Sequence, residues 1–211
     1  SYISNSNGTT IIKGSVFGAG KGSDDTFECE QAMVRTTNVT ISAGTMEKNV
    51  YGGSEVGRVD QHAVVTLGVN DASGDAAPVI KGDVFGAGQG EETHGYSGLA
   101  RGNTTVTIQG TTNVGKSVYG GGEVAAVGRY GLDSSGMPST LVSGGECTVT
   151  IKDNAAIGTG TDGGHVFGGS KGVDESLKSY TYTDNEHRPK RMMSYSSSLY
   201  NDGNSSLWEY S

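Results

Sequence analysis

Five aromatic side chains, Phe17, Tyr51, Phe85, Tyr119 and Phe167, hold the same place in a Gly-rich phrase that recurs along the chain. The copies read Val16-Phe17-Gly18-Ala19-Gly20, Val50-Tyr51-Gly52-Gly53-Ser54, Val84-Phe85-Gly86-Ala87-Gly88, Val118-Tyr119-Gly120-Gly121-Gly122 and Val166-Phe167-Gly168-Gly169-Ser170. Alternation from the inward valines places the rings on the opposite face of a strand. If that face is open, a five-ring ladder can stack on sugars or on a protein partner. The alternative is that links or a second sheet cover the ladder and it serves as core. Further aromatics, among them Tyr180, Tyr182 and Trp208, crowd a Ser-rich tail beside the basic run His187-Arg188-Pro189-Lys190-Arg191. They form a second set of candidate ligand contacts.

Other chemistry finds less support. Carboxylate catalysis requires acids gathered in one groove, whereas Asp24, Asp25, Asp71, Asp75, Glu91, Glu92 and Asp162 fall on different links. The same acids lack the recurring Gly-Gly-x-Gly-x-Asp and EF-hand spacings of Ca²⁺ sites. The four histidines share no spacing; His165 stands in register with Ser15, Asn49, Asp83 and Ser117, a polar column. Cys29 and Cys147 form no CxxC motif, and both a single disulfide and free thiols stay open. Gly18-Ala19-Gly20-Lys21-Gly22-Ser23 lacks the spacing of a phosphate loop. The pairs Thr105/Thr107 and Thr148/Thr150 suggest an ice-ordering rank, but Asn38 and Val64 interrupt it. The expectation is no catalytic residue, no metal and no cofactor.

The elements that carry these residues follow from the repeat. The phrase valines stand at 16, 50, 84 and 118, an interval of 34, and the last at 166, an interval of 48. A constant period marks a repeat architecture. A second phrase interleaves: Asn38-Val39-Thr40-Ile41, Val64-Val65-Thr66-Leu67, Thr105-Val106-Thr107-Ile108 and Thr148-Val149-Thr150-Ile151. Both phrases alternate apolar and polar residues, so both read as half-buried strands, with Ile12 to Gly18 as one strand. The phrases also come in pairs. Phe in odd copies gives way to Tyr in even ones, and Gly14, Gly82 and Gly164 give way to Lys48 and Lys116. The deeper unit therefore has a period of 68, with repeat pairs at 11–78 and 79–170. Polar links run through 21–35, 68–78, 89–102, 129–145 and 158–164, and they hold Pro78 and Pro138. The insertion at 129–145 explains most of the stretched interval.

Composition agrees with this division. Hydrophobic residues are 33% of 211 and Gly fills 36 positions, too little apolar content for an ordinary globule of this size. A stack of repeats buries only a narrow stripe per turn and manages with less. The formal net charge of −8 argues against nucleic-acid and anionic-membrane partners. No stretch is long and apolar enough for membrane insertion. The reading is an all-β, right-handed parallel β-solenoid (β-helix) of about five 34-residue turns over residues 1–172, with 173–211 as loop or cap. A Gly-rich β-sandwich or β-roll is the alternative. Residues 1–10 supply a thin cap for the first end, and the abrupt start at Ser1 suggests a fragment of a longer chain.

The phrases Lys81-Gly82-Asp83-Val84-Phe85-Gly86-Ala87-Gly88, Ser117-Val118-Tyr119-Gly120-Gly121-Gly122 and Thr148-Val149-Thr150-Ile151 resemble the Val-Phe/Tyr-Gly-Gly-Gly repeats of large adhesin-like surface proteins of gut bacteria. The resemblance covers about residues 11–172. It implies a non-enzymatic module at the bacterial cell surface or outside the cell, next to neighbouring repeats of the same chain. Such a module would bind host glycan or protein ligands through side loops or the aromatic face. A polysaccharide lyase or hydrolase of parallel β-helix type, and a purely structural stalk spacer, are the rival expectations.

Overall fold

The computed structural model of the chain describes residues 2–3, 10–22, 32–70, 77–91, 97–132 and 138–172. Five tiers follow one another, each of three short strands. The first holds β1 (Tyr2–Ile3), β2 (Ile11–Ile12) and β3 (Val16–Phe17); the second β4 (Thr37–Ile41), β5 (Thr45–Met46) and β6 (Val50–Tyr51). The third holds β7 (Ala63–Leu67), β8 (Val79–Ile80) and β9 (Val84–Phe85); the fourth β10 (Thr104–Ile108), β11 (Asn113–Val114) and β12 (Val118–Tyr119). A hairpin of β13 (Arg129–Leu132) and β14 (Pro138–Ser143) intervenes, and β15 (Cys147–Ile151), β16 (Ala156–Ile157) and β17 (Val166–Phe167) complete the fifth.

Like strands pair only with like. Three five-stranded parallel sheets result, ordered β1-β4-β7-β10-β15, β2-β5-β8-β11-β16 and β3-β6-β9-β12-β17. Registers hold each repeat column in line: Val39, Val65, Val106 and Val149 are successive partners, as are Val16, Val50, Val84, Val118 and Val166. A fourth, thinner column of single parallel bridges joins Val34, Val59, Ala100 and Val127. The class is therefore all-β, built of stacked parallel sheets.

The alternation read from the sequence places side chains as expected. In β4, β7 and β10 the outer and central residues are buried and those between them are not, so Thr40, Thr66 and Thr107 lie on the outer face. Their inward neighbours meet those of the other two sheets in one core that includes Val39, Ile41, Met46, Val50, Leu67, Ile80, Val84 and Ile108. Each such side chain contributes about 1.5–3 kcal/mol by leaving water. A second, smaller core gathers Val59, Ala87, Ala100 and Val127, with Cys147 packed against it as a free thiol.

Three expectations need correction. Ile12 to Gly18 is not one strand but the ends of two, bent apart at Lys13-Gly14, so that each tier has three strands. Two-residue strands leave too short a pattern for alternation to separate from a bend. The tier opens on the Val-Thr-Ile strand, and Tyr2–Ile3 is its first-tier equivalent rather than a cap. The insertion is an antiparallel hairpin instead of an open link. The tail 173–211 and Cys29 lie outside the described residues.

The corners have local causes. Between the first and second sheets the chain needs a left-handed residue, supplied by Gly44, Gly68, Gly110 and, in the last tier, Asp153. The two-tier period has a cause as well. Thr37 and Thr104 donate across the opposite corner to the carbonyls of Gly52 (2.6 Å) and Gly120 (2.5 Å), while the odd tiers place Ala63 and Cys147 there.

Candidate functional site

The ring column is real and continuous. Phe17, Tyr51, Phe85, Tyr119 and Phe167 stack at centroid separations of 4.7, 4.9, 5.0 and 4.9 Å, with planes within 10° of parallel. Its faces, however, are occupied by its own members. Tyr51 is 1% and Phe85 0% exposed, Phe17 and Tyr119 are half-buried, and only Phe167, at 44%, is open to solvent. Of the two readings left open by the sequence, the ladder follows the covered one and is largely internal. The repeat spacing dictates this: rings carried in register at the inter-strand distance of about 4.8 Å sit too close to admit anything between them. Tyr180, Tyr182 and Trp208 lie outside the described residues.

Two polar columns border the ring edges. One is the column of Ser15, Asn49, Asp83, Ser117 and His165, whose side chains tie tier to tier. Asn49 Oδ1 accepts from the Asp83 amide (2.9 Å), Asp83 Oδ1 from the Ser117 amide (2.9 Å) and Ser117 Oγ from the His165 amide (3.1 Å). The other stands four residues after each ring: Lys21, Glu55, Gln89, Glu123 and Lys171. Sequence reading assigned these residues no role. The constant offset from the aromatic was the available signal.

Glu123 leans along the ladder. Its carboxylate accepts from the Tyr51 hydroxyl (2.5 Å) and from Lys171 Nζ (2.9 Å), and Lys171 Nζ stands 5.9 Å from the Phe85 centroid. Asn49 Nδ2 donates to the Tyr51 oxygen at 2.9 Å. Burial, seconded by the Glu123 charge, holds the Tyr51 phenol far above the ordinary tyrosine value of 10.0. For Lys171 burial opposes the charged form, but the Glu123 hydrogen bond and field outweigh it and raise its pKa. Both shifts have one sign in linkage. A folded state that holds its protons more tightly is stabilised below the unfolded pKa and loses that stabilisation as pH rises beyond it. Melting temperature should therefore hold up to the ordinary values of 10.0 and 10.5 and fall as pH rises above them, and Tyr51→Phe should flatten the part owed to the phenol while Lys171 keeps the remainder. An equally steep fall in the variant would exclude Tyr51 as a source.

A groove of about 460 Å³ opens beside the lower rings, lined by Ser15, Phe17, Glu47, Lys48, Asn49, Tyr51, Glu55, Lys81, Gly82, Gln89 and Lys116. A second, of about 420 Å³, lies at the foot of the hairpin between Asp60, His62, Arg101, Asn103 and Arg129. There a buried Arg101 pairs with Asp60 at 3.0 Å, and His62 Nδ1 accepts from the Asn103 amide at 3.1 Å. No group of three or more His, Cys, Asp or Glu placed to hold a metal occurs among the described residues. No helix among them is long and apolar enough to cross a membrane.

The geometry defines a class, an all-β protein of stacked parallel sheets with an internal aromatic ladder and a polar groove along its edge. Against known proteins, no family model, curated sequence or solved structure gives a significant match.

Proposed function

We propose that the chain is a right-handed parallel β-solenoid serving as a non-enzymatic repeat module of a bacterial, surface-exposed, adhesin-like protein. The cyclic passage of the chain through three parallel sheets supports the coil, and the strong preference of parallel crossovers for one hand supports its sense. Location and adhesin character rest on the resemblance of the Gly phrases. The exposed Val166 and Phe167 of the fifth tier (49% and 44%) favour a neighbouring repeat stacked above them.

One observation carries the non-enzymatic reading: the reactive groups beside the ladder are already engaged with one another. Glu123 holds Tyr51 and Lys171, Asp83 holds a backbone amide, and the Tyr51 phenol is kept protonated. Such groups stiffen a scaffold, whereas a general base must stand free near its working pH. The lyase or hydrolase alternative has one point in its favour, the meeting of Asp83, Glu123, Tyr51 and Lys171 along one edge. The covered ladder moves ligand contact to the groove and loops, and in their absence leaves a spacer.

A glycan and host-protein array probed with the whole chain, run beside product assays on soluble polysaccharides, separates the three. Binding without new reducing or unsaturated ends is the expected result. Product release that Glu123→Gln abolishes would overturn it in favour of an enzyme, and silence in both would leave the spacer.

A further inference from the structure

The bend between the second and third sheets carries a lysine in each of the first four tiers. Its two positions read Lys13-Gly14, Glu47-Lys48, Lys81-Gly82 and Gly115-Lys116. At Gly82 and Gly115 the alternation is steric, whereas a Cβ at Gly14 would meet nothing within 4 Å. A Cβ at Gly82 would lie 2.7 Å from the Lys48 carbonyl carbon, and one at Gly115 would lie 2.6 Å from the Lys81 oxygen. Bend backbones are locked in register by Glu47 N to Ile12 O (2.8 Å), Lys81 N to Met46 O (2.9 Å) and Gly115 N to Ile80 O (2.6 Å). The lysines therefore form a row that climbs one tier at a time.

This row is under-neutralised. Lys81 pairs with Glu47 at 2.7 Å, but Lys13, Lys48 and Lys116 are exposed and make no ion pair or side-chain hydrogen bond among the described residues. A file of ammonium groups repels itself, and in a chain of net charge −8 its presence is not a matter of bulk composition. The row also forms one rim of the groove, into which Lys48, Lys81 and Lys116 all face.

We propose that this rim is a rail for a linear acidic polysaccharide. Lys48 and Lys116 are two tiers apart, about 10 Å on the tier spacing set by the 4.9 and 5.0 Å ring separations. An extended sugar chain advances by about one tier per residue, so an acid on every second sugar meets an unpaired lysine. The intervening hydroxyls meet Ser15, Asn49 and Gln89 of the groove lining, whose two carboxylates are Glu47, neutralised by Lys81 at 2.7 Å, and Glu55, 3.8 Å from Lys21. Single-stranded nucleic acid fits worse, because its bases need free ring faces and the ladder's are used internally. The inference rests on the module being a binder, and names its ligand class.

The test titrates the whole chain with polygalacturonate, with dextran as neutral control and with a single-stranded oligonucleotide, at low and moderate salt. Polygalacturonate should bind in a salt-sensitive way and dextran should not. Lys48→Gln and Lys116→Gln should each weaken binding about three- to fivefold, and the pair at least tenfold. Lys152→Gln, an exposed lysine at another corner, should change nothing, and equal melting temperatures certify the fold. Unchanged binding by the double variant, equal binding of dextran, or stronger binding of the oligonucleotide would each overturn the proposal. Cleavage of polygalacturonate by the parent would defeat the non-enzymatic reading instead, leaving the lysine comparison intact.

Discussion

Gly86→Ala should destabilise the protein by about 3–4 kcal/mol, although it adds one methyl group and leaves every ring and charge in place. Gly18, Gly52, Gly86, Gly120 and Gly168 follow the aromatics as a column, and none has a positive φ. Their need for Gly is one of space. A Cβ on Gly86 would stand 2.0 Å from the carbonyl oxygen of Gly120 and 3.1 Å from Thr104 Cβ. The same construction gives 2.1 Å at Gly18, 2.2 Å at Gly52 and 2.3 Å at Gly120, each against the next tier's carbonyl. The oxygen has no easy retreat. Gly120 O accepts from Thr104 Oγ1 at 2.5 Å, and Gly86 N is tied to Tyr119 O at 3.0 Å. Relief requires prising the tiers apart and losing at least one such bond. Gly168 supplies the control within the same column, for a Cβ there meets nothing within 4 Å. Gly168→Ala should be neutral or stabilising by up to about 1 kcal/mol. In a domain of this size the contrast corresponds to roughly 10 °C in melting temperature. Equal, small effects at both sites would mean that the tiers are not packed at this spacing.

That column also marks where sequence reasoning succeeded and where it stopped. A Gly kept at one offset through five copies announced a repeat, and the identical neighbours Val39, Val65, Val106 and Val149 announced columns paired in register. Those features were legible because stacking identical residues is what a tier does. The split of Ile12–Gly18 at Lys13-Gly14 was not. Strands of two residues have no period to read, and Tyr2–Ile3 shares only its Ile with Thr40–Ile41, to which it pairs. Ring exposure was undecidable for a different reason. Alternation assigns a face to Phe85, but whether that face meets water depends on Glu123 and Lys171, whose long side chains reach it from later tiers. The candidate groove escaped notice because its rims come from separate positions, the bend lysines before each phrase and the polar column after it. The Gly/Lys alternation was read only as a repeat detail, and both rims gained meaning when the tiers were stacked.

Phe85→Ala should cost about 4–5 kcal/mol and Phe167→Ala only about 1–2 kcal/mol, although both are phenylalanines of odd tiers at one repeat position. Phe85 is fully buried between Tyr51 and Tyr119, with ring separations of 4.9 and 5.0 Å, while Phe167 touches one ring and is 44% exposed. Truncating Phe85 removes a buried ring, opens a gap that tiers locked in register cannot close, and deprives two neighbours of a stacking partner. It also takes away the edge along which Glu123 passes to reach Tyr51, two tiers below its own strand. Phe85→Leu separates these contributions, because it restores much of the volume without a plane to stack. Its stability should fall between parent and Ala variant, and the shortfall from the parent measures the stack. Denaturant melts of the three variants read the order directly. If Phe167→Ala proved as costly as Phe85→Ala, the ladder's end would be as buried as its middle, and a further tier or the tail would have to cover it. If instead Phe85→Ala left stability unchanged, the ladder would not be part of the core. The expected order, with polygalacturonate binding unaffected by Phe167→Ala, places the rings in the scaffold and leaves recognition to the lysine rim beside them.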